Sequence, residues 1–229
     1  TKRVYERAAR VLRGQDMDFR CVARTWVWLR DILAWYRQFN IARTAVYGHV
    51  GLVAADNHAH FLPASTGIGV APADGGACGL ELIAISDGRD SIHSSQAAGE
   101  QCSAFSYGSA FARAVLAPMP SGEALLVSGT AAIDSDGVSE HPGDVRRQIG
   151  ATIQHIRSLV TEAGWTEEQI VSAIGYCKNP QVAGIFAEEW GSLPWPRIEI
   201  IGDVCREELL FEMEVMAADR ERRRAGDQV

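Results

Sequence analysis

The chain has 229 residues, 47% of them apolar, enough to bury a sizeable core as one large domain or two small ones. Its 22 basic and 29 acidic residues leave a net charge of −7, and the one basic run, residues 220–224, reads as a solvated tail. That balance argues against nucleic acid as a partner. It contains no run of about 18 apolar residues and no signal-peptide core, so no membrane span is expected and the cytoplasm is the expected compartment.

The five cysteines, Cys21, Cys78, Cys102, Cys177 and Cys205, are scattered without CxxC spacing. Neither a zinc ribbon nor a disulfide framework is implied, which fits a reducing environment.

In chain order, residues 1 to about 40 carry apolar stripes at helical spacing. Val4, Ala8, Val11 and Leu12 form one, and Trp26, Leu29, Leu33 and Tyr36 form another, so this stretch is expected to be helical, with its tryptophans in the core. Residues 48–100 are rich in small residues and short strands, of which Leu80 to Ser86 is the clearest. The pair His58 and His60 lacks a third or fourth ligand nearby, so it reads as loop and no metal is expected. Gly67-Ile68-Gly69 is too short for a dinucleotide fingerprint.

From Ala124 to Ile133 an apolar strand ends in the turn Asp134 to Gly137. Val145, Ile149, Ile153, Ile156 and Val160 then mark one face of a helix of about five turns, closed by Gly164. Thr166 and Gln169 have capping-box spacing before a strand at Ile170 to Cys177. Asn179-Pro180 opens a second helix, Arg197 to Ile201 is a strand, and Leu209 to Met216 is the last strand. The order β, α, β, α, β, β predicts an α+β fold with helices packed on one face of a mixed sheet.

Several blocks in collinear order carry a resemblance. They are Arg24-Thr25-Trp26, then Tyr36 to Asn40 with Ala42-Arg43, then Ser103 to Tyr107, then Phe111 to Ala114. Leu125 to Ala131 and His141 to Val145 follow. This sequence resembles the chorismatase branch of the Rid/YjgF superfamily, with a shortened N-terminal half. The resemblance implies a Rid/YjgF (chorismate-mutase-like) catalytic domain over residues 113–218, a smaller and degenerate α/β part over 1–112, and a charged tail over 219–229.

It also implies a site. Arg197 and Glu212 keep a family spacing of 15 residues, with Arg197 holding a substrate carboxylate beside Glu212 across one sheet. Glu212 would be the general acid, its pKa raised by apolar surroundings and by the like charge of Glu214. Cys205, seven residues before Glu212, and Gly129 in Ser-Gly-Thr-Ala would mark the 3-hydroxybenzoate-forming type. Arg113, Tyr107, Gly129 and Thr130 complete the expected substrate contacts.

Chorismate is then the implied substrate, a small carboxylate losing pyruvate without metal or organic cofactor. A Rid-type deaminase of 2-imino acids and a non-catalytic ligand-binding module are the alternatives. A homotrimer is the implied assembly.

Overall fold

The computed structural model describes residues 1–54, 59, 61–86, 91–97 and 101–219. His58, His60 and the basic tail at 220–224 lie outside the described residues. Helix α1 (Lys2–Arg13) leads to strand β1 (Val22–Leu29) and helix α2 (Ile32–His49), followed by β2 (Ala64–Ile68) and β3 (Cys78–Ala84). The expectation of helix throughout residues 1–40 is thus corrected at its centre. In Val22-Ala23-Arg24-Thr25-Trp26-Val27-Trp28-Leu29 the β-branched and aromatic residues favour a pleated strand. The helical spacing of Trp26, Leu29 and Leu33 spans a strand and the helix after it. These strands form a three-stranded sheet, ordered β2-β1-β3.

The larger sheet begins with β4 (His93–Ser95), β5 (Ala114–Met119) and β6 (Gly122–Ala131). Helix α3 (Val145–Glu162), β7 (Ile170–Cys177), helix α4 (Pro180–Trp190), β8 (Arg197–Ile201) and β9 (Phe211–Ala218) complete it. The strand order is β4-β5-β6-β9-β7-β8, mixed in direction as expected. Local chemistry sets the helix ends. The side chain of Asp144 caps α3, and Gly164 follows that helix at φ +80°, where a side chain would be strained. Asn179 caps α4 and Pro180 occupies its first turn.

Alternation along β9 divides the molecule into layers. Phe211, Met213, Val215 and Ala217 pack against Ile149, Ile153, Ile156 and Phe186 of the two helices. Met216 and Ala218 face the other way, into a core that the N-terminal half shares with Val115, Ala117, Ala124 and Leu126. The three-stranded sheet therefore covers the face of the large sheet that α3 and α4 leave open. Among the described residues, no helix is long and apolar enough to cross a membrane.

Candidate active site

Between the two sheets lies a chamber of about 30 Å³, walled in part by Arg43, Ser65, Tyr107, Arg113, Gly129, Cys205 and Glu212. Tyr36, Tyr107, Ser109, Cys205 and Arg206 also wall an outer cleft of about 830 Å³ on the α2 side. Five of the residues expected from the sequence thus converge here: Tyr107, Arg113, Gly129, Cys205 and Glu212.

A register shift builds the floor. β6 pairs with β9 through Val127↔Val215 and then Thr130↔Met213, so one extra residue on β6 bulges out. Gly129 sits in that bulge, and its N–H donates to Thr66 Oγ1 at 3.0 Å. A Cβ at Gly129 would lie 1.9 Å from Glu212 Oε1. The bare backbone is what lets the carboxyl settle against it. Gly129→Ala should keep the fold, because what must move is the Glu212 carboxyl and, by a few tenths of an ångström, the Thr66 methyl, both side-chain atoms. Displacing the carboxyl should cut turnover by roughly ten- to a hundredfold. Wild-type turnover in that variant would show that the carboxyl's seat is immaterial.

Two glutamates on the same face of β9 receive opposite treatment. Glu214 accepts from Arg24 Nη2 at 2.7 Å, Trp26 Nε1 at 2.7 Å and Tyr176 Oη at 3.1 Å, an ion pair with two further donors. Glu212 is 5% exposed, and no donor reaches its carboxyl among the described residues. Burial first, and the Glu214 charge second, push it up to about 8 against the pull of Arg24 and Arg113. Glu212 is therefore a protonated carboxylic acid at neutral pH, opening onto the chamber.

Two guanidiniums face it. Arg113, 1% exposed, donates through Nε and Nη2 to Cys102 O, both at 3.0 Å, and through Nη2 to Tyr107 Oη at 2.9 Å. Arg43, 2% exposed, donates to Asn40 Oδ1 at 2.6 Å and Ser65 Oγ at 3.4 Å, while its Nε has no partner among the described residues. Neither forms an ion pair there with a carboxylate. Among the described residues these two buried cations have no counter-charge, an arrangement suited to receiving an anion. Arg206 adds a third at the mouth, lying over the Tyr107 ring at 5.4 Å. Burial and the nearby Glu212 push the Cys205 thiol up to about 12, so it is neutral. Burial likewise raises Tyr107.

Two expected residues fall elsewhere. Thr130 is paired with Met213 on the helix-packed side, fully buried, and its hydroxyl donates to Ser128 O at 2.9 Å. Arg197 pairs with Ala173, which pairs with Val215. Val215 and Glu212 are three residues apart on one strand and so point to opposite faces. Arg197 is therefore on the helix side, two strands away and roughly 14 Å along the sheet. Its guanidinium binds Leu193 O at 2.9 Å, Gly191 O at 3.1 Å and Glu199 at 3.1 Å, and covers Phe186. It closes the C-terminal end of α4. Arg197→Ala should lower stability by about 1–2 kcal/mol and leave ligand affinity unchanged. A loss of affinity in a titration with a carboxylate ligand would return Arg197 to the site.

Arg43 went unassigned in the sequence, although its spacing carried a signal. Phe39, Arg43 and Tyr47 recur every four residues along α2, all buried, so a charge sits inside an apolar stripe.

A chorismatase crystal structure superposes on this architecture with a TM-score of 0.75, over 95% of this chain and 70% of its own, at 22% identity. The chain has the chorismatase fold. This is the fold implied by the sequence resemblance. A YjgF-family protein from Neisseria meningitidis aligns over 57% of this chain and 96% of its own, at 15% identity and a TM-score of 0.43. The Rid-family protein YyfA from Yersinia pestis aligns over 48% and 87%, at 23% identity and a TM-score of 0.39. No protein-family model and no curated protein matches the sequence. Within this fold, the bulge at Gly129 seats the Glu212 carboxyl, while α2 and the residue before β5 supply the two guanidiniums that face it.

Proposed function

We propose that this protein is a chorismatase-like enzyme that removes pyruvate from chorismate or a related enolpyruvyl compound, leaving a hydroxybenzoate-type product. The observation that carries this reading is a buried Glu212 carboxyl facing a chamber with two buried guanidiniums that have no carboxylate partner among the described residues. Arg43 and Arg113 hold the carboxylates of the substrate. Glu212 delivers its proton to the terminal carbon of the enolpyruvyl double bond. The ether oxygen stabilises the resulting cation. The bond between the ring and that oxygen then breaks with its electron pair going to the oxygen, which becomes the keto oxygen of pyruvate. The ring cation left behind loses a proton to the Glu212 carboxylate and becomes aromatic. Gly129 and Cys205 shape the ring's surroundings as in the 3-hydroxybenzoate-forming type. This chemistry needs an acid and an anion receptor, and no metal or organic cofactor.

Chorismate incubated with the protein should lose its absorbance and yield pyruvate and a hydroxybenzoate in equal amounts. Arg43→Met should weaken carboxylate binding by about 1.5–3 kcal/mol, roughly 10- to 100-fold in Kd. The fall in Tm should be small: Asn40 Oδ1 loses its donor, but the buried charge removed has no ion-pair partner among the described residues. Unchanged Kd would remove Arg43 from the receptor.

The chamber's small volume, about 30 Å³, favours a second reading, hydrolysis of a small 2-imino acid by the same acid and guanidiniums. Iminoalanine run beside chorismate separates the two. Turnover of iminoalanine alone would replace the first reading by the second.

A further inference from the structure

The segment from residue 202 to residue 210 carries two chamber residues, Cys205 and Arg206, and feeds directly into β9 and Glu212. Its inner edge is fixed by backbone bonds. Gly202 N–H donates to Cys177 O at 3.0 Å, and Lys178 N–H donates to Leu210 O at 3.0 Å. Lys178 Nζ also donates to Glu207 O at 2.7 Å and Gly69 N–H to Asp203 O at 2.8 Å, while on the side facing α3 the segment is held by Gln148, a fully buried side chain from that helix's first turn. Gln148 Nε2 donates to Glu208 O at 2.8 Å, and to Glu140 O and His141 O at 3.2 Å each. Its Oε1 accepts from Leu210 N–H at 2.8 Å.

One amide therefore joins two loops. The second loop supplies the groups that aim Arg206. Gly137 O and Ser139 Oγ accept from Arg206 Nη1 at 2.9 and 3.1 Å, and Ser139 Oγ donates to Glu208 at 2.8 Å. The tip of Gln148 must offer both a donor and an acceptor, which a glutamate or a leucine cannot do in place. Gln148 touches none of the chamber itself.

We propose that Gln148 is a positioning residue for the chamber: it locks the 202–210 segment so that Cys205 and Arg206 stay fixed relative to Glu212. This rests on the reading of the chamber as the active site, and its test does not require turnover. Iodoacetamide is the probe, with labelling of each cysteine followed by peptide mass spectrometry. The neutral, half-buried Cys205 reacts slowly in the wild type. In Gln148→Leu its rate should rise about tenfold through local opening, while the buried Cys21 and Cys177 stay unlabelled. Ser139→Ala removes only the second clip and should raise the Cys205 rate by roughly threefold.

Cys205 reacting at the wild-type rate in both folded variants overturns the proposal. If every cysteine in Gln148→Leu reacts together, that variant has lost its fold, and Ser139→Ala decides. In a folded variant, a rise at Cys205 alone supports the proposal, and no change at Cys205 defeats it. With a substrate in hand, Gln148→Leu should also lower kcat about tenfold with little change in KM, as misplacement of reacting groups does. If the wild type turns over no substrate, the proposed function has failed while the labelling result still stands.

Discussion

Glu212→Gln should lose about 10²- to 10⁴-fold in turnover, the usual worth of a positioned acid, with ligand Kd nearly unchanged. Glutamine keeps the shape of a protonated carboxyl and cannot give up a carboxylic proton, whereas Arg43 and Arg113 still hold the substrate. The wild-type rate should be flat at neutral pH and fall as pH rises through about 8, where the working protonated form is lost.

Stability follows the same proton. The folded pKa lies above the ordinary 4.5, so between 4.5 and about 8 the unfolded chain releases a proton that the folded chain keeps. Stability therefore falls as pH rises across that window and levels off above it. The glutamine variant lacks this slope and should be the more stable protein at pH 8.5, by at most about 5 kcal/mol. Measuring kcat and Kd from pH 5 to 9, with thermal melts at pH 5 and 8.5, tests both halves. Near-wild-type turnover in the variant would eliminate Glu212 as the acid.

Arg24→Met should cost about 3–5 kcal/mol of folding stability. Arg24, 2% exposed, donates to Glu214, to Thr66 Oγ1 and to Val127 O, so it links β1 to both β6 and β9. Among the described residues, removing it leaves the buried Glu214 carboxyl with Trp26 and Tyr176 as its donors. Arg24→Met with Glu214→Met removes the uncompensated charge and should recover most of the loss, a coupling that a double-mutant cycle in urea reads directly. A loss under 1 kcal/mol in the single variant, or no recovery in the double, would show that the pair is not what joins the sheets.

The C-terminal half was legible because its signals were local and redundant. Gly164, Asn179-Pro180 and the Thr166/Gln169 pair each fix a helix or turn boundary by backbone chemistry that needs no distant partner. The strand at Val22–Leu29 was misread because aromatic residues suit either a helix face or a pleat, and only its pairing with β2 and β3 decides. At the chamber the structure brings together Glu212, Cys205, Gly129, Arg113 and Tyr107, while Arg197 and Thr130 lie on the helix-packed face of the sheet. Spacing along the chain says how far apart two residues are, and not which face of a sheet each takes when another strand lies between them. Arg43 was missed because its meaning is tertiary: a cation within an apolar stripe signifies an anion receptor only once Arg113 and Glu212 stand opposite.

The bulge at Ser128 and Gly129 has a consequence for how the molecule can be divided. Ser128 Oγ donates to Ala112 O and accepts from Ser65 N–H, and Gly129 reaches Thr66, so the bulged strand is stitched to residues on the far side of residue 113. Two of the three donors to Glu214, Arg24 and Trp26, also come from there. A fragment starting at residue 113 would keep every helix of the larger layer yet leave Glu214 without those donors and strip half the apolar cover from β6 and β9. The N-terminal half is thus not a removable accessory to a self-sufficient module. Each half supplies part of the interior of the other.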